Sequence, residues 1–378
     1  MYTVVDLFAG CGGGSMGFKN AGFTTLAAVE ISEDAAASFA LNVGIDPLVM
    51  DIRDVTVGEL RKRGVRPGSL TLLFGCPPCQ SFTVLRRAAK ATDDDLRRND
   101  LIFEYLRLVE GLRPRHLAFE NVPGLVEGRW RRYFDAFRER LAGLGYTIDW
   151  RIADAAQYGV PQRRRRLLVV GSRVAPPSLP EPTHADCAAD GMKTFVTVRD
   201  AIGHLRRLAA GEADPHDPFH RARQHSDLTL RRLACIPEGG DRRQMPDELV
   251  LDCHRDHEGH YDVYGRMWWD RIAPTLTSGC TNVTKGRFCH PTQDRALTLR
   301  EAMLLQTFPS RARLRGSTDG MALQVGNAVP SLVAQRIAET IIAMEHESRA
   351  SGRGLTCGAR SGSAEELAES PAELHQPG

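Results

Sequence analysis

Five short runs of apolar and β-branched residues, Thr3–Phe8, Leu26–Ile31, Leu70–Phe74, Leu117–Phe119 and Leu167–Val170, recur along the first half of the chain with longer amphipathic stretches between them. Buried strands alternating with helical stretches predict an α/β protein with a parallel sheet covered by helices on both faces. In open sheets of this kind, ligands gather at the carboxyl ends of the strands. Here those ends carry Asp6-Leu-Phe-Ala-Gly10, Glu30, Gly75-Cys-Pro-Pro-Cys79 and Glu120-Asn-Val. Four strand ends loaded with chemically active residues predict one shared site.

The chain of 378 residues is 42% hydrophobic, enough for one sizeable core and a second compact unit. No apolar run approaches the roughly 20 residues that cross a bilayer. The start Met1–Asp6 lacks a basic region and a secretory core, so a cytoplasmic location is expected. Nine cysteines, an odd number without a leader, argue for free thiols in a reducing compartment. The net charge of +2 is too small to mark a nucleic-acid binder, so any polyanion site must be local. Only five lysines accompany 44 arginines, a bias that carries little functional weight alone.

After Gly171 the texture changes. Pro176, Pro177, Pro180 and Pro182 open an irregular stretch running to about residue 290, which reads as a loop-rich second domain. Helical patterning returns at Thr298–Phe308 and Ser331–Met344 and would pack back on the first unit. The expected organisation is therefore 1–173 and 291–346 as one domain, 174–290 as an insertion, and a disordered, polar tail at 347–378.

Gly10-Cys-Gly-Gly-Gly-Ser-Met-Gly17 sits between the first strand and a helical stretch, where glycines allow a tight turn and close approach of backbone to a ligand. Gly12–Gly17 matches the dinucleotide pattern, and Glu30 closes the next strand where an acid would accept ribose hydroxyls. The pair points to a nucleoside cofactor, either a dinucleotide or an adenosine-containing methyl donor. Gly75-Cys76-Pro-Pro-Cys79-Gln-Ser-Phe82 admits three readings: a thiol–disulfide pair, half of a zinc site, or a rigidly presented Cys79 nucleophile. No second C-x-x-C follows to complete a zinc site. The nucleophile reading gains from Phe119-Glu120-Asn121-Val122-Pro123, which sets a carboxylate at another strand end.

Taken together, Asp6-Leu-Phe-Ala-Gly-Cys-Gly-Gly13, Gly75-Cys-Pro-Pro-Cys-Gln80 and Phe119-Glu-Asn-Val122 resemble the cytosine-5 DNA methyltransferase family of bacterial and phage type. The resemblance continues in the family's order through Gln157-Tyr-Gly-Val-Pro-Gln-Arg-Arg-Arg-Arg166, Pro274-Thr-Leu276, Leu305-Gln-Thr-Phe-Pro309 and Gln324-Val-Gly-Asn-Ala-Val-Pro330, covering roughly residues 3 to 345. It implies a Rossmann-like S-adenosylmethionine-dependent methyltransferase fold with an inserted target-recognition domain.

The resemblance further implies that the Cys79 thiolate adds to carbon 6 of cytosine, that Glu120 holds the protonated ring nitrogen 3, and that Arg164 contacts the carbonyl oxygen. Phe8, Gly10, Cys11, Gly12 and Gly13 would lie against S-adenosylmethionine, with Glu30 and Ile31 at the ribose and Asp51 and Ile52 around adenine. Pro78, Leu101, Asn327 and Val329 would complete that pocket. Gln80, Ser81, Asn121, Gln162, Arg166 and Thr275 would surround DNA and the target base, and the loop Ser81–Arg98 would close over it. Double-stranded DNA is the implied partner, a restriction endonuclease the functional companion that the resemblance suggests, and a monomer suffices. Arg206, Arg207, Arg221, Arg223, Arg231, Arg232, Arg242 and Arg243 in the insertion are candidates for phosphates or guanine edges. No metal is expected; Cys253–His260 reads as a polar loop.

Three other functions fit parts of the sequence. The tRNA-methylating branch of the family carries a Cys-Phe-Thr signature not found here. A DNA-binding regulator without turnover leaves Cys79, Glu120 and Arg164 idle. A nicotinamide oxidoreductase explains Gly12–Gly17 and Glu30 but gives no work to Glu120 or Gln324–Val329.

Overall fold

The computed structural model describes residues 1–78, 100–188, 191–255 and 259–350. A seven-stranded sheet organises them. Its strands are β1 (Tyr2–Leu7), β2 (Phe23–Glu30), β3 (Leu48–Val49), β4 (Leu72–Gly75), β5 (His116–Asn121), β6 (Thr147–Asp154) and β7 (Arg165–Ser172), in the spatial order β3-β2-β1-β4-β5-β7-β6. The five strands expected from the sequence are all present. Residues Thr147–Asp154 form an additional strand, one whose alternating exposure gave no continuous apolar run.

The sheet is mixed, which corrects the all-parallel expectation. β1 to β5 run parallel, but β7 is antiparallel to both β5 and β6. Only residues 155–164 connect β6 to β7. A parallel return needs a crossover of roughly a dozen residues or more, so this short link folds the chain straight back.

Alternate residues of each central strand serve opposite faces. Val5, Leu7, Leu73, Leu117, Phe119, Leu167 and Val169 join one core, which is covered by α4 (Leu101–Leu112) and α5 (Arg131–Gly143). Val4, Leu72, Phe74, Ala118, Leu168 and Val170 join the other. That second face is covered by α1 (Gly13–Asn20) and α11 (Ser331–Ala350), which cross where a side chain on Gly17 would overlap the Ser331 carbonyl. On the flank, Ser32 caps α2 (Glu33–Val43), whose first turn carries Glu33 and Asp34, and Thr56 caps α3 (Val57–Lys62). α11 runs on to Ala350, past the expected start of the tail; residues 351–378 lie outside the described residues.

Residues 174–290 contain little regular structure: α6 (Val198–Ile202), α7 (Asp227–Ala234), α8 (Asp252–Arg255) and the two-residue strands His184–Ala185 and Lys193–Thr194. Their apolar anchors Val198, Ile202, Phe219, Met267, Leu276 and Phe288 share a core with α9 (Leu299–Leu305) and α10 (Thr318–Asn327). Irregular backbone must satisfy its carbonyls without a ladder, and buried arginines do so here. Arg266 donates to the carbonyls of Leu233, Ile236, His290 and Gln293, and Arg287 to those of Gly239, Gly240 and Arg266.

The same physics revises the list of DNA-facing arginines. Arg242 is buried and donates to Gly259 O, Arg232 donates to Leu249 O, Arg243 forks onto Asp241, and Arg223 holds Thr281 and Asp319. Arg206, Arg207, Arg221 and Arg231 are exposed.

Two buried carboxylates are held by basic partners, Glu301 within one local turn and Glu345 across the sheet edge. Arg295 grips Glu301 with two bonds of 2.8 and 2.7 Å, and Arg115 and His116 hold Glu345 on α11. Burial pushes both carboxyls up, but the hydrogen bonds and charge of their partners outweigh it and hold each at about 2. Each therefore adds stability that is complete above about pH 4.5 and is lost as the pH falls towards 2. Urea unfolding between pH 6 and 3 should show a falling midpoint, with a visibly shallower fall in Glu345→Gln.

Candidate active site

Strand order reverses between β1 and β4. From β1 the chain moves outward to β2 and β3, whereas β4 starts on the other side and leads to β5. Loops leaving β1 and β4 therefore diverge and open a crevice at their carboxyl ends. The register aligns Leu7 with Val29 and Gly75, and Gly75 with Phe119, so the four strand ends meet along one edge. A cleft of about 1050 Å³ lies there.

The glycine loop forms one wall. Phe8 takes a positive φ of 59°, a conformation that bulky residues rarely adopt, and Gly10 follows at 54°. Gly10 N–H donates to Glu30 Oε2 at 2.8 Å, while Ile31 and Ser32 N–H donate to Oε1 at 3.0 and 2.8 Å. Three of the carboxylate's roughly four lone-pair positions are thus used to shape two loops, leaving one for a ligand. Gly13 lets the loop pack directly on the 328–329 backbone: a Cβ there would lie 2.5 Å from the Val329 carbonyl oxygen.

Phe8, Gly10, Gly13, Glu30, Ile31, Asp51, Ile52, Pro78, Leu101, Asn327 and Val329 all line the cleft. Two neighbours in the motif do not. Cys11 is buried, its thiol directed at Gln324 O and pushed up to about 12 by burial. Gly12, at φ 92°, turns the chain into α1 against Phe39 and Val43. Packing of the loop against α2 and α10 claims both.

The sequence reading passed over Asp6 as a site residue. It lines the cleft, accepts from Ser15 Oγ at 2.6 Å, and is raised to about 7 by burial, against the lowering bond from Ser15 and with a further push from Glu30. Its position at the end of an apolar strand was the available signal. Asp100 and Leu323 were also missed, and nothing in their local sequence distinguishes them from surface positions; Gln324 was named only as the start of its motif, without a place at the site.

The opposite wall is built by β5, β7 and the loop after β4. Gln162, Arg164 and Arg166 are inward-facing, while Arg163 and Arg165 are exposed, the alternation expected of an extended segment. Glu120, 3% exposed, accepts from Cys76 Sγ through Oε2 at 2.9 Å, and its Oε1 lies 3.2 Å from Arg166 Nε. Arg164 is oriented differently: its guanidinium donates to the Gly326 and Leu276 carbonyls at 3.1 and 3.4 Å. Arg164 and Arg166 both border the cleft, but Arg166 is the one paired with Glu120.

Asn121 and Gln162 sit behind this wall. Asn121 Nδ2 donates to Pro77 O, fixing the turn that follows β4. Gln162 accepts from Leu276 N–H and donates to Gln306 Oε1, and Gln306 donates to Val325 O and Ala328 O. Thr275 donates to Arg163 O at 2.6 Å. Three distant motifs are thereby tied to the segment that leads into β7. Cys79, Gln80, Ser81 and the loop Ser81–Arg98 lie outside the described residues, as does part of Cys253–His260. Among the described residues no group of three His, Cys, Asp or Glu is placed to hold a metal, and no helix is long and apolar enough to cross a membrane.

A cleft at the switch point of an α/β sheet, with a glycine loop, a strand-end acid and a lining of apolar, acidic and arginine side chains, is the site of a nucleoside-binding enzyme. The comparisons specify which. Residues 2–343 match the C-5 cytosine-specific DNA methylase family, and the chain belongs to it. It is 33% identical over 348 residues to the Type II methylase M.HgiDII of Herpetosiphon aurantiacus, spanning 90% of this chain and 94% of that one. It is 32% identical to the Type II methyltransferase M1.HphI of Haemophilus parahaemolyticus, spanning 90% and 87%. The fold matches that of a DNA modification methyltransferase encoded within an E. coli prophage, with TM-score 0.71, 23% identity, and 92% and 100% of the two chains covered. The protein is a DNA (cytosine-5) methyltransferase, and its methyl donor is S-adenosylmethionine.

The cleft fits that donor. Glu30 retains an acceptor position, Gly10 leaves open space beside its backbone, and Phe8, Ile31, Ile52 and Leu101 offer apolar surface. Glu30→Ala should raise the Kd for S-adenosylmethionine about tenfold or more, as expected for losing a charged hydrogen-bond acceptor. Calorimetry with S-adenosylmethionine checks this, with DNA affinity measured alongside.

Proposed function

We propose that the enzyme methylates carbon 5 of cytosine within one specific double-stranded DNA sequence, by way of a covalent bond from Cys79 to the ring and rotation of the base out of the helix. The observation that carries this reading is the convergence of Glu120, Arg166 and Pro78, the residue preceding Cys79, on one cleft. Glu120 is almost wholly buried there, so a base stacked in duplex DNA is out of its reach and has to be flipped.

The cytosine ring is too electron-poor at carbon 5 to attack a methyl group unaided. The Cys79 thiolate forms a bond to carbon 6, and the displaced ring electrons make carbon 5 nucleophilic. Glu120 holds the proton at ring nitrogen 3 during that addition. Arg166, rather than Arg164, is the guanidinium beside the base, since it is the one paired with Glu120; Arg164 keeps β7, Leu276 and Gly326 in register. When bound, S-adenosylmethionine supplies an electrophilic methyl group to carbon 5. Loss of the carbon-5 proton and departure of the Cys79 thiolate then restore the aromatic ring.

Residues 1–173 and 291–346 form the catalytic part in this reading, and residues 174–290 recognise the target, seated on α9 and α10 through their common core. The named relatives are Type II methyltransferases, which supports a modification enzyme that works with a restriction endonuclease. Cytoplasmic action as a monomer completes the proposal.

Single-base mapping of 5-methylcytosine in plasmid DNA from a methylation-free host tests it. Marks at one recurring sequence with the native protein, and none with Cys79→Ala, are expected; an unmarked plasmid despite soluble protein, with methylated tRNA instead, would sink the reading. In the same assay Arg166→Ala should lose about a hundredfold or more in kcat with a near-native melting temperature. Arg164→Ala should instead be destabilised by about 1–3 kcal/mol, because it strands two buried carbonyls.

A further inference from the structure

Cys76, the first cysteine of Gly75-Cys-Pro-Pro-Cys79, has no part in the chemistry above. Its position is nevertheless closely defined. Gly75 pairs with Phe119 in the parallel register of β4 and β5, so Cys76 and Glu120 follow as the next neighbours across the two strands. Cys76 N–H donates to Leu7 O at the end of β1, and Pro77 after it is tied to β5 by the 3.3 Å bond from Asn121. The thiol is therefore presented from a segment anchored on both sides.

Its sulfur lies 2.9 Å from Glu120 Oε2, while Arg166 Nε stands 3.2 Å from Oε1. A carboxylate held at one oxygen alone can still rotate about its last torsion, which for Glu is broad and soft. Here the charge of Arg166 on β7 draws Oε1 to one side, and the hydrogen bond from Cys76 at the end of β4 is the directional contact that sets the plane. We infer that Cys76 is a positioning residue for the methyl transfer: its S–H donates to Glu120 Oε2 and holds the carboxylate plane aligned with the amidine edge of the flipped cytosine. The target is the edge formed by ring nitrogen 3 and the exocyclic amino group, which a planar carboxylate can meet with both oxygens only in one orientation. Cys76 itself touches no reacting atom in this arrangement, and the inference rests on the reading of Glu120 given above.

A thiol that merely fills space predicts a different outcome from a thiol that donates. Steady-state methylation of target plasmid, with kcat and the KM values for DNA and S-adenosylmethionine determined separately, distinguishes them across Cys76→Ala, Cys76→Ser and Glu120→Gln. Cys76→Ala should lose about fivefold in kcat, the usual effect of one hydrogen bond, with both KM values within about twofold of native. Cys76→Ser, which restores a donor in a smaller side chain, should recover most of that loss. Native kcat in Cys76→Ala, or a serine variant as impaired as the alanine one, would overturn the inference. Should Cys76→Ala fail to fold, Cys76→Val keeps the volume without a donor and is read in the same way. Glu120→Gln separates the two levels: an inactive Glu120→Gln beside a native Cys76→Ala removes only the role of the thiol, whereas an active Glu120→Gln removes the reading of Glu120 itself.

Discussion

The reversal of strand order between β1 and β4 is the constraint on which the site depends. Neighbouring strands on the same side of a reversal send their connections over the same faces, and their ends are covered. Here the connections leaving β1 and β4 part, and the crevice between them receives the glycine loop from one strand and the Cys76–Pro78 turn from the other. Parallel pairing then brings Glu30 and Glu120 to the same edge, although 90 residues separate them in the chain. Neither carboxylate would reach the cleft if the register slipped by one residue, because each would turn to the opposite face.

The antiparallel β7 adds what a wholly parallel sheet would lack. It enters the sheet at the site edge and runs away from it, so that Gln162, Arg164 and Arg166 arrive beside the carboxyl end of β5. Each meets a different need. Arg166 faces Glu120, Arg164 satisfies the carbonyls of Leu276 and of Gly326 in the last turn of α10, and Gln162 joins Gln306 in a buried amide network. Such a network is stable only when every member is satisfied, and it ties the segments around 276, 306 and 325 to the wall of the cleft. The irregular residues 174–290 are built on related physics. Arginine supplies five donors in a fixed fork, and Arg266 and Arg287 use them to replace the hydrogen bonds that a helix or sheet would provide.

Much of this was legible in the residues. The strands that became β1, β2, β4, β5 and β7 were visible as apolar runs because both of their faces are buried. β6 escaped, since it is only half covered and its pattern, from Thr147 to Asp154, is interrupted by charge. Most expected cofactor contacts lie in one cleft, as the motifs implied, but Cys11 and Gly12 do not, because a loop of consecutive small residues turns successive positions to opposite sides. The arginines of the insertion were the least legible. Composition cannot tell a guanidinium bound to an internal carbonyl, such as that of Arg242, from one left facing solvent, such as that of Arg206.

Sequence alone determined the class of fold and the kinds of chemical group at each strand end, because burial on two faces and the need for tight turns restrict residue choice locally. It also supported the family, since the order of the motifs is written along the chain. Tertiary structure alone decided the direction of β7, the pairing of Arg166 and Cys76 with Glu120, and the diversion of Arg164 to backbone carbonyls. Those depend on which segments meet in space and on how buried donors and acceptors divide among them, and no local pattern encodes that division.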